Sequence, residues 1–381
     1  MTGTPYIAVA AGGTGGHMMP ADAMSHALRE TGADVTLITD KRGAAYPGIM
    51  EDFDRHVLNI DSHMGGGIWS KMKAFISLGF ATLNVRRLFK AKRPDCVVGF
   101  GGYPSLPALL AARALRIPYV LHEQNAVLGK VNRWMGKGAA GIALSLPATK
   151  RVPTDAATAV TGNPVRRIIE KIANIAYSVP MGAGDIRIFI LGGSQGARIL
   201  SNVVPAALAQ MDDSIRERLI VSHQARREDR DRVHEIYQQA GIRAEVQPYY
   251  EDVAAILLRT QLVISRAGAS TLAELTAMGR PAILVPLAIA ADDHQRINAS
   301  VLQGAGGAWV MQEADFTPDS LAALLDDLFA DMGDMRKASD NMRACAALGA
   351  ADHLAELVLG VTAGQAGGAD RIEEKPKGEN L

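Results

Sequence analysis

The sequence runs Tyr6-Ile7-Ala8-Val9-Ala10-Ala11 and then directly Gly12-Gly13-Thr14-Gly15-Gly16-His17, an apolar run that ends in a glycine-rich loop. A strand that turns on glycine into a helix presents unpaired backbone N–H groups at the positive end of the helix dipole. Such an end is suited to binding phosphate. The stretch therefore predicts the first strand, loop and helix of a parallel α/β domain, with a phosphate-bearing ligand at the loop.

The same combination occurs twice more in the chain. Gly99-Phe100-Gly101-Gly102-Tyr103-Pro104-Ser105 follows the apolar run 96–98, and Gly192-Gly193-Ser194-Gln195-Gly196-Ala197-Arg198 follows the run 186–191. Strand and helix signals alternate after each loop, which is typical of parallel sheets with right-handed crossovers. Because the first and third loops open two similar halves, we expect the ligand to lie between those halves.

Length and composition limit the class of protein. A chain of 381 residues predicts two α/β domains. The 40 basic and 40 acidic residues cancel, which argues against non-specific nucleic-acid binding. The two cysteines lie far apart and lack CxxC partners, which favours a reduced cytosolic protein without disulfides or a zinc site. We see no secretory signal and no apolar run long enough to span a bilayer, so we expect a soluble protein or one on a membrane surface.

Prolines and glycines near residues 153–184 interrupt the alternation and indicate a domain boundary. We predict an N-terminal domain over 1–162 and a C-terminal domain over 163–345. A helix within 346–361 is expected to pack back on the N-terminal domain, and the Gly- and charge-rich tail 362–381 is expected to be disordered. The predicted strands are 6–11, 34–39, 96–100, 119–121, 186–191, 219–222, 262–265 and 282–286.

The first loop differs from both common nucleotide-binding fingerprints. Met18 stands where G-x-G-x-x-G needs its third glycine, and no loop has the Gly-Lys-[Ser/Thr] of a P-loop. Asp40 could mimic a ribose-binding acid, but we interpret it as a solvated loop residue. His17, where the loop enters its helix, either bonds locally or acts in catalysis; we favour catalysis, because it is titratable and close to the predicted phosphate site.

Three polar stretches supply further candidates. The run His122-Glu123-Gln124-Asn125 ends a predicted strand, at the edge where α/β sheets bind ligands, although a solvated loop is the alternative. In the stretch 268–274, Ser270 or Thr271 could cap a helix; alternatively, its N–H groups hold a diphosphate and Glu274 accepts from a ribose diol. The run 292–295 contains Asp and His, but without a further ligand at metal-binding spacing we predict no metal site.

The segment from Gly65 to Pro94 combines apolar residues at helical spacing with basic residues, and no acid occurs between Asp61 and Asp95. An apolar stripe usually packs in a core, and that alternative stays open. The acid-free basic flank favours docking on an anionic membrane surface. The apolar residues are Trp69, Met72, Phe75, Ile76, Phe80 and Leu83, and the basic residues are Lys71, Lys73, Arg86, Arg87, Lys90, Lys92 and Arg93.

Taken in order, these stretches resemble the peptidoglycan N-acetylglucosaminyltransferases of glycosyltransferase family 28, from about Tyr6 to Leu359. The stretches that carry the resemblance are 12–17, 101–103, 122–125, Gly162-Asn163-Pro164-Val165-Arg166, 192–197 and His294-Gln295 with Asn298-Ala299. The resemblance implies the GT-B fold, in which two Rossmann-like doubly wound domains face a central cleft.

The resemblance also implies an activity. It is the transfer of N-acetylglucosamine, with inversion, from UDP-GlcNAc to undecaprenyl-diphospho-N-acetylmuramoyl-pentapeptide (lipid I), giving lipid II for peptidoglycan, and hence for cell shape and division. No cofactor or metal is implied. The implied place is the cytoplasmic face of the inner membrane, peripherally bound, with wall-synthesis and division proteins as further partners. His17 is the first candidate for the base that takes the acceptor proton, and Glu123 the second.

The family's donor site maps mainly onto the second domain. The implied UDP-GlcNAc residues are Thr14, Gly15, Gly16, Asn125, Arg166, Ser194, Tyr250, Ala269, Ser270, Thr271, Leu272, Ala273, Glu274 and Gln295. The implied acceptor and membrane residues are Trp69, Lys71, Phe75, Phe80 and Tyr103. One departure is Ala267, where many relatives have serine, so no side-chain contact is assigned there.

Other functions share parts of this pattern. A lipid glycosyltransferase such as a diacylglycerol glucosyltransferase would have the same glycine loops, and a UDP-GlcNAc 2-epimerase would have the same two domains. A nicotinamide-dependent oxidoreductase fits less well, because the fingerprint is missing. A pure binding module does not explain titratable groups from both halves at one cleft.

Overall fold

The computed structural model of the protein describes residues 3–46, 48–60, 68–180, 182, 184–193 and 196–364. Within these residues the first sheet has seven parallel strands in the order β3-β2-β1-β4-β5-β6-β7. This order reverses direction between β1 and β4, which is where doubly wound sheets open a crevice for ligands. The strands are β1 (Tyr6–Ala10), β2 (Asp34–Asp40), β3 (Asp54–Leu58), β4 (Cys96–Gly99), β5 (Tyr119–Glu123), β6 (Gly141–Leu144) and β7 (Thr158–Val160).

The second sheet is also parallel, with six strands among the described residues in the order β10-β9-β8-β11-β12-β13. Its order reverses between β8 and β11, so the two sheets have the same plan and the two-domain α/β prediction is confirmed. The strands are β8 (Ile186–Leu191), β9 (Leu219–Gln224), β10 (Arg243–Gln247), β11 (Leu262–Ser265), β12 (Ala282–Leu284) and β13 (Ala308–Val310).

Helices connect the strands and cover both faces of each sheet. In the first domain they are α1 (Gly15–Glu30), α2 (Ile68–Ala91), α3 (Gly102–Leu115) and α4 (Lys130–Met135). The others are α5 (Arg167–Ile172), α6 (Arg198–Ala209), α7 (Asp213–Arg216), α8 (Arg230–Gln239), α9 (Val253–Arg259), α10 (Ala269–Met278), α11 (His294–Gly304), α12 (Pro318–Ala330), α13 (Met332–Ala344) and α14 (Ala350–Thr362).

The first strand shows why its sequence is apolar throughout. Ile7 and Val9 belong to the core on one face of the sheet, while Ala8 and Ala10 belong to the core on the other face. A parallel strand between two helical layers is buried on both sides, so it lacks the alternation of a half-exposed strand. The run of small and β-branched residues before the first glycine loop is therefore a central strand.

The chain crosses between the two domains twice, and the crossings touch at Gly162. This glycine has φ of +82°, and a Cβ on it would lie 2.5 Å from the Cβ of Ala347. Only glycine fits both the conformation and the space. After the second crossing, α14 packs against α1 of the first domain. Arg167 and Glu30 add an ion pair between the domains.

Two sequence-based boundaries near the cleft were wrong. The helix predicted from about Pro20 begins at Gly15, with Thr14 as its extended N-cap, so Pro20 lies inside it. The strand predicted over 119–121 continues to Glu123, which makes His122 and Glu123 strand residues. The last helix ends at Thr362, and residues 365–381 of the expected tail lie outside the described residues.

Candidate active site

His17 lies in the first turn of α1, half-buried against the second glycine loop. Its Nδ1 lies 3.3 Å from the backbone oxygen of Gly12 and 3.3 Å from Oγ1 of Thr14. A Cβ on Gly102 would lie 3.0 Å from Cε1 of the imidazole, and both Gly101 and Gly102 have positive φ. The second glycine loop therefore provides room for the histidine ring as well as a helix start.

The surroundings of His17 favour a neutral imidazole. Burial lowers its pKa, and the nearby carboxylate of Glu123 only partly opposes this effect. Since the Gly12 carbonyl can only accept, a hydrogen bond to it requires the proton on Nδ1. In that tautomer Nε2 keeps its lone pair, which is what a general base needs.

Asp40 is buried, so our interpretation of it as a solvated loop acid was wrong. Its Oδ1 accepts from the backbone N–H groups of Gly13 and Gly43, each at 2.9 Å, and its Oδ2 lies 3.3 Å from Nε of Arg42. The N–H of Gly15 donates to the hydroxyl of Tyr46 at 2.9 Å. Two of the loop's donors are thus used within the first domain, where they fix the loop's shape.

His122, Glu123 and Gln124 are buried, whereas side chains that face a cleft would be exposed. Their hydrogen bonds mainly hold the loop to which they belong. His122 is fully buried, with Nε2 3.1 Å from the oxygen of Gly162 and Nδ1 3.1 Å from the amide nitrogen of Gln124. Burial lowers the pKa of His122 to about 4. The imidazole therefore links β5 to the first interdomain crossing as a neutral group.

Glu123 is 2% exposed, and each of its two carboxylate oxygens accepts two hydrogen bonds. Oε1 accepts from the backbone N–H and side-chain amide of Asn125, both at 3.1 Å. Oε2 accepts from the N–H of Gly129 at 2.7 Å and from Nδ2 of Asn132 at 2.9 Å. All four donors belong to the segment 125–132, so this geometry favours a role for Glu123 in shaping the Asn125 loop over the role of alternative base.

Arg166 and Glu274 are joined to each other at the donor side of the cleft. Nε and Nη2 of Arg166 lie 2.6 and 2.7 Å from the two oxygens of Glu274. Burial works against the charge of Arg166, but Glu274 outweighs it and raises the pKa of the guanidinium. Two of the implied donor-site residues therefore form one paired unit in this structure.

The N-terminus of α10 meets the N-terminus of α1 across the cleft. Oγ of Ser270 donates to the backbone oxygen of Gly16 at 3.2 Å. Within a helix that oxygen would accept from the residue four positions later, which is Pro20 and has no N–H. The proline inside α1 thus leaves a carbonyl free for a hydroxyl of the other domain.

The other residues of the stretch 269–274 divide between two faces of α10. Ala269, Leu272 and Ala273 line a partly open cavity between the domains, near both crossings. Thr271 and Glu274 lie on a different face by helical rotation. The six residues implied by the resemblance therefore do not share one surface.

Tyr250 is in the core of the second domain. Its side chain is 8% exposed, packs edge-on against Phe189, and donates from its hydroxyl to the oxygen of Glu245 at 2.7 Å. Its neighbour Tyr249 is 61% exposed. The hydroxyl of Tyr250 is thus already bonded within the domain core, and the place of Tyr250 in the donor site stays a prediction.

Gln295 lies in the first turn of α11. Its Oε1 accepts from the backbone N–H of Leu287 at 3.0 Å, so the amide nitrogen is the part of this side chain that could donate to a ligand. No cluster of three or more potential metal-ligating residues occurs among the described residues, including the run 292–295.

Asp292 and Asn298, which the sequence did not mark as site residues by themselves, bond to the first domain.

Ser194 and Gln195 of the third glycine loop lie outside the described residues, as does the side chain of Lys71. Arg198 at the start of α6 pairs with Asp229, so the loop's helix is tied to the neighbouring α8 segment. The place of Ser194 in the donor site stays a prediction.

Helix α2 presents the apolar stripe to solvent. Its core-facing side is a different row, formed by Ala74, Leu78, Ala81, Val85 and Phe89. Trp69 and Phe75 are 78% and 76% exposed, and Phe80 is 66% exposed. Tyr103 lies beneath the helix and donates to the oxygen of Ala74 at 2.9 Å. The core-packing alternative for the stripe was therefore wrong. In the described residues no helix is long and apolar enough to cross a bilayer.

Two parallel α/β domains with switch-point loops facing one cleft form the GT-B fold. Solved structures of that architecture superpose on most of the chain. The kitacinnamycin glycotransferase has a TM-score of 0.69 at 17% identity, over 94% of this chain and all of that one. MurG from Acinetobacter baumannii has a TM-score of 0.74 at 30% identity, over 94% of this chain and 99% of that one.

The sequence comparisons give the family. The glycosyltransferase family 28 N-terminal domain matches residues 7–144, and the glycosyltransferase family 28 C-terminal domain matches residues 187–357. This chain belongs to glycosyltransferase family 28.

Curated relatives with one shared name match nearly the whole chain. One from Granulibacter bethesdensis is 46% identical over 92% of this chain and 91% of its own length. One from Paramagnetospirillum magneticum is 43% identical over 96% and 99%. Both are named UDP-N-acetylglucosamine–N-acetylmuramyl-(pentapeptide) pyrophosphoryl-undecaprenol N-acetylglucosamine transferase.

Proposed function

We infer that this protein transfers N-acetylglucosamine from UDP-GlcNAc to lipid I and so forms lipid II. The names of the relatives at 46% and 43% identity support the reaction. The contact between Gly16 and Ser270 is the structural observation that carries it, because it sets the candidate base beside the N-terminus of α10. A helix N-terminus suits a diphosphate leaving group, and a neutral imidazole suits the acceptor hydroxyl.

The chemistry we propose is a single displacement with inversion. The 4-hydroxyl of the acceptor sugar attacks the anomeric carbon while the bond from that carbon to the diphosphate oxygen breaks. Nε2 of His17 takes the hydroxyl proton, and UDP leaves with the bonding electron pair. Arg166 and the N–H groups at the start of α10 stabilise the charge that develops on the diphosphate.

The donor site we propose is completed from both domains. Glu274 accepts from the ribose diol, while Gln295 from the second domain and Asn125 from the first bind hydroxyls of GlcNAc. Because the contributing groups come from both halves, closing the cleft assembles the site. Thr14, Gly15 and Gly16 then lie against the diphosphate, as the first glycine loop predicts.

The lipid acceptor requires a membrane-facing surface, and we assign it to the exposed side of α2. Phe75, Phe80 and Trp69 are large, exposed and apolar, and Lys73, Arg86, Arg87 and Lys90 are exposed beside them. Apolar insertion together with basic charge is how a helix lies in the interface of an anionic bilayer. We therefore propose peripheral binding at the cytoplasmic face of the inner membrane, where wall-synthesis and division proteins are accessible partners.

The test is transfer of radiolabel from UDP-GlcNAc to a lipid I analogue by the purified protein, with a chelator present. We expect label in the lipid fraction only when the acceptor is added. Transfer to diacylglycerol instead, or conversion of UDP-GlcNAc without any acceptor, would replace our proposal with another lipid glycosyltransferase or with an epimerase. Loss of transfer on chelation would contradict the metal-free displacement.

A further inference from the structure

The segment before α11 contains two aspartates in an unfavourable backbone conformation. Asp292 and Asp293 have φ of 54° and 56°, in the left-handed region that side-chain-bearing residues seldom adopt. Such residues persist where other contacts hold them in place. The carboxylate of Asp293, the N-cap residue of α11, pairs with Arg296 on that helix. The partners of Asp292 belong to the other domain.

Asp292 joins the two domains through two arginines. Its Oδ2 lies 2.9 Å from Nη2 of Arg133 on α4, and its Oδ1 lies 2.5 Å from Nη1 of Arg151. These two hydrogen-bonded cations hold the pKa of Asp292 below its usual range. We call this trio of side chains the Asp292 clasp.

A second interdomain contact occurs further along the same helix, at Asn298, which is 3% exposed. Its Oδ1 accepts from the N–H of Ala126 at 2.8 Å, and its Nδ2 lies 3.2 Å from Oδ1 of Asn125. Nδ2 also donates to the oxygen of Ala267 in its own domain, at 3.2 Å. One amide therefore ties α11 and the loop before α10 to the Asn125 loop.

Gln295 lies between these two contacts in the sequence. It shares a helix face with Asn298, three positions on, and follows Asp292 by the same spacing. On the opposite side, Asn125 and Arg133 flank the loop that Glu123 holds with its carboxylate. The clasp and Asn298 thus join the two elements that carry Gln295 and Asn125.

We propose that Asp292 is a positioning residue for the transfer reaction. The clasp, together with Asn298, sets the separation of Gln295 and Asn125 so that both reach the same donor sugar. This inference rests on the proposed function, because it assumes that the sugar lies between those two amides. Asp292 touches no substrate; it acts by favouring the closed arrangement of the domains, and apparent donor affinity falls with the closed fraction.

The experiment compares Asp292→Asn with Asp293→Asn. Asparagine tolerates left-handed φ as aspartate does, so neither substitution adds backbone strain. We expect Asp292→Asn to lower kcat/KM for UDP-GlcNAc by about 5- to 10-fold, mostly through KM, while Asp293→Asn stays near the parent. Added salt should lower the parent's kcat/KM more than that of Asp292→Asn, because it screens the clasp.

A double-mutant cycle identifies the partner. If Arg133 acts through Asp292, Arg133→Gln combined with Asp292→Asn should be no worse than the more severe single variant. Additive losses, or a parent-like KM in Asp292→Asn, would overturn the proposal. If the parent transfers no sugar, the proposed function fails, but calorimetry with UDP-GlcNAc still tests the clasp: an unchanged dissociation constant in Asp292→Asn would reject it separately.

Discussion

The guanidinium of Arg166 and the carboxylate of Glu274 face each other edge to edge, with Nε and Nη2 lying 2.6 and 2.7 Å from the two oxygens. Arg166 follows the first interdomain crossing, and Glu274 lies on α10. A two-point pair of this kind fixes orientation as well as charge. A ligand that binds Arg166 therefore binds a guanidinium whose position is set by Glu274, and a ligand that binds Glu274 binds a carboxylate whose position is set by Arg166.

Glu274→Gln tests that dependence. The amide keeps the size of the side chain but loses the charge that both Arg166 and a ribose diol would use. We expect kcat/KM for UDP-GlcNAc to fall by about 10- to 100-fold, largely through KM, since charge-assisted hydrogen bonds contribute about 1.5–3 kcal/mol. Calorimetry with UDP should show a matching loss, because the ribose is part of UDP.

The control for this variant is Glu313→Gln, which removes the ion pair with Arg266 and leaves both Arg166 and Glu274 in place. It should bind UDP like the parent. Equal weakening by both substitutions would mean that Glu274 acts only through the stability of the second domain.

His17→Gln tests the base. We expect turnover to fall by about 10²- to 10⁴-fold with little change in UDP binding. Since burial lowers the pKa of His17 below 6.5, and the base works when neutral, the parent's kcat/KM should fall on the acid side only below about pH 6.5. The residual activity of His17→Gln should lack this acid limb. A variant with the same limb would assign it to another group.

The exposed side of α2 gives a prediction about membranes. Replacing Phe75 and Phe80 with Ser should reduce partitioning to phosphatidylglycerol-containing vesicles by at least about 10-fold, because each buried aromatic side chain contributes about 1.5–3 kcal/mol. Ile175→Ser, which removes an exposed apolar residue elsewhere, is the control. Sedimentation with vesicles measures both, and equal binding of parent and double variant would move the membrane contact to another surface.

The sequence predicts those strands, loops and helices that depend only on residues close together in the chain. The apolar run 6–11 and the glycines after it define a strand, a loop and a helix without reference to the rest of the chain. The same local logic gives the second and third loops and the charged side of α2. The fold class follows from the alternation of such units.

What the sequence could not predict depends on partners brought together by folding. Asp40 can be buried because the backbone N–H groups of Gly13 and Gly43 donate to its carboxylate. The residues next to Asp40 in the sequence do not show that these donors will be there. From the sequence alone Pro20 was interpreted as a helix start, but it lies inside α1. The carbonyl of Gly16 that Pro20 leaves without a helical donor accepts from Ser270, a residue 254 positions away that only folding brings close. Tyr249 and Tyr250 are adjacent residues of the same type, so the sequence alone does not show which ring is buried and which is exposed.

Two buried histidines predict acid sensitivity. Burial lowers the pKa of His122 to about 4 and that of His223 to about 3, from 6.5 in the unfolded chain. The unfolded state therefore binds protons that the folded state excludes, and stability falls as the pH drops from 6.5 toward 4. Each histidine contributes a slope of about 1.4 kcal/mol per pH unit.

Urea unfolding at several pH values measures this slope. His223→Gln, which keeps a hydrogen-bonding group opposite Tyr237, should remove about half of it. His56→Gln, at an exposed position, should leave it unchanged. A parent whose stability is flat between pH 6.5 and 4 would mean that both imidazoles accept protons without unfolding.

Asn163, at the first interdomain crossing, predicts a gain in stability on substitution. Its side chain is 6% exposed and lines the cavity between the domains, yet neither amide atom has a hydrogen-bond partner among the described residues. An unsatisfied buried polar group costs about 1–3 kcal/mol, so Asn163→Leu should raise the free energy of unfolding by about 1–2 kcal/mol. Asn298→Leu is the matched control, since Asn298 lines the same cavity but its amide makes three hydrogen bonds, and it should destabilise the protein. Denaturant titration of both variants decides the matter: destabilisation by Asn163→Leu as large as that by Asn298→Leu would show that the amide of Asn163 is satisfied in solution.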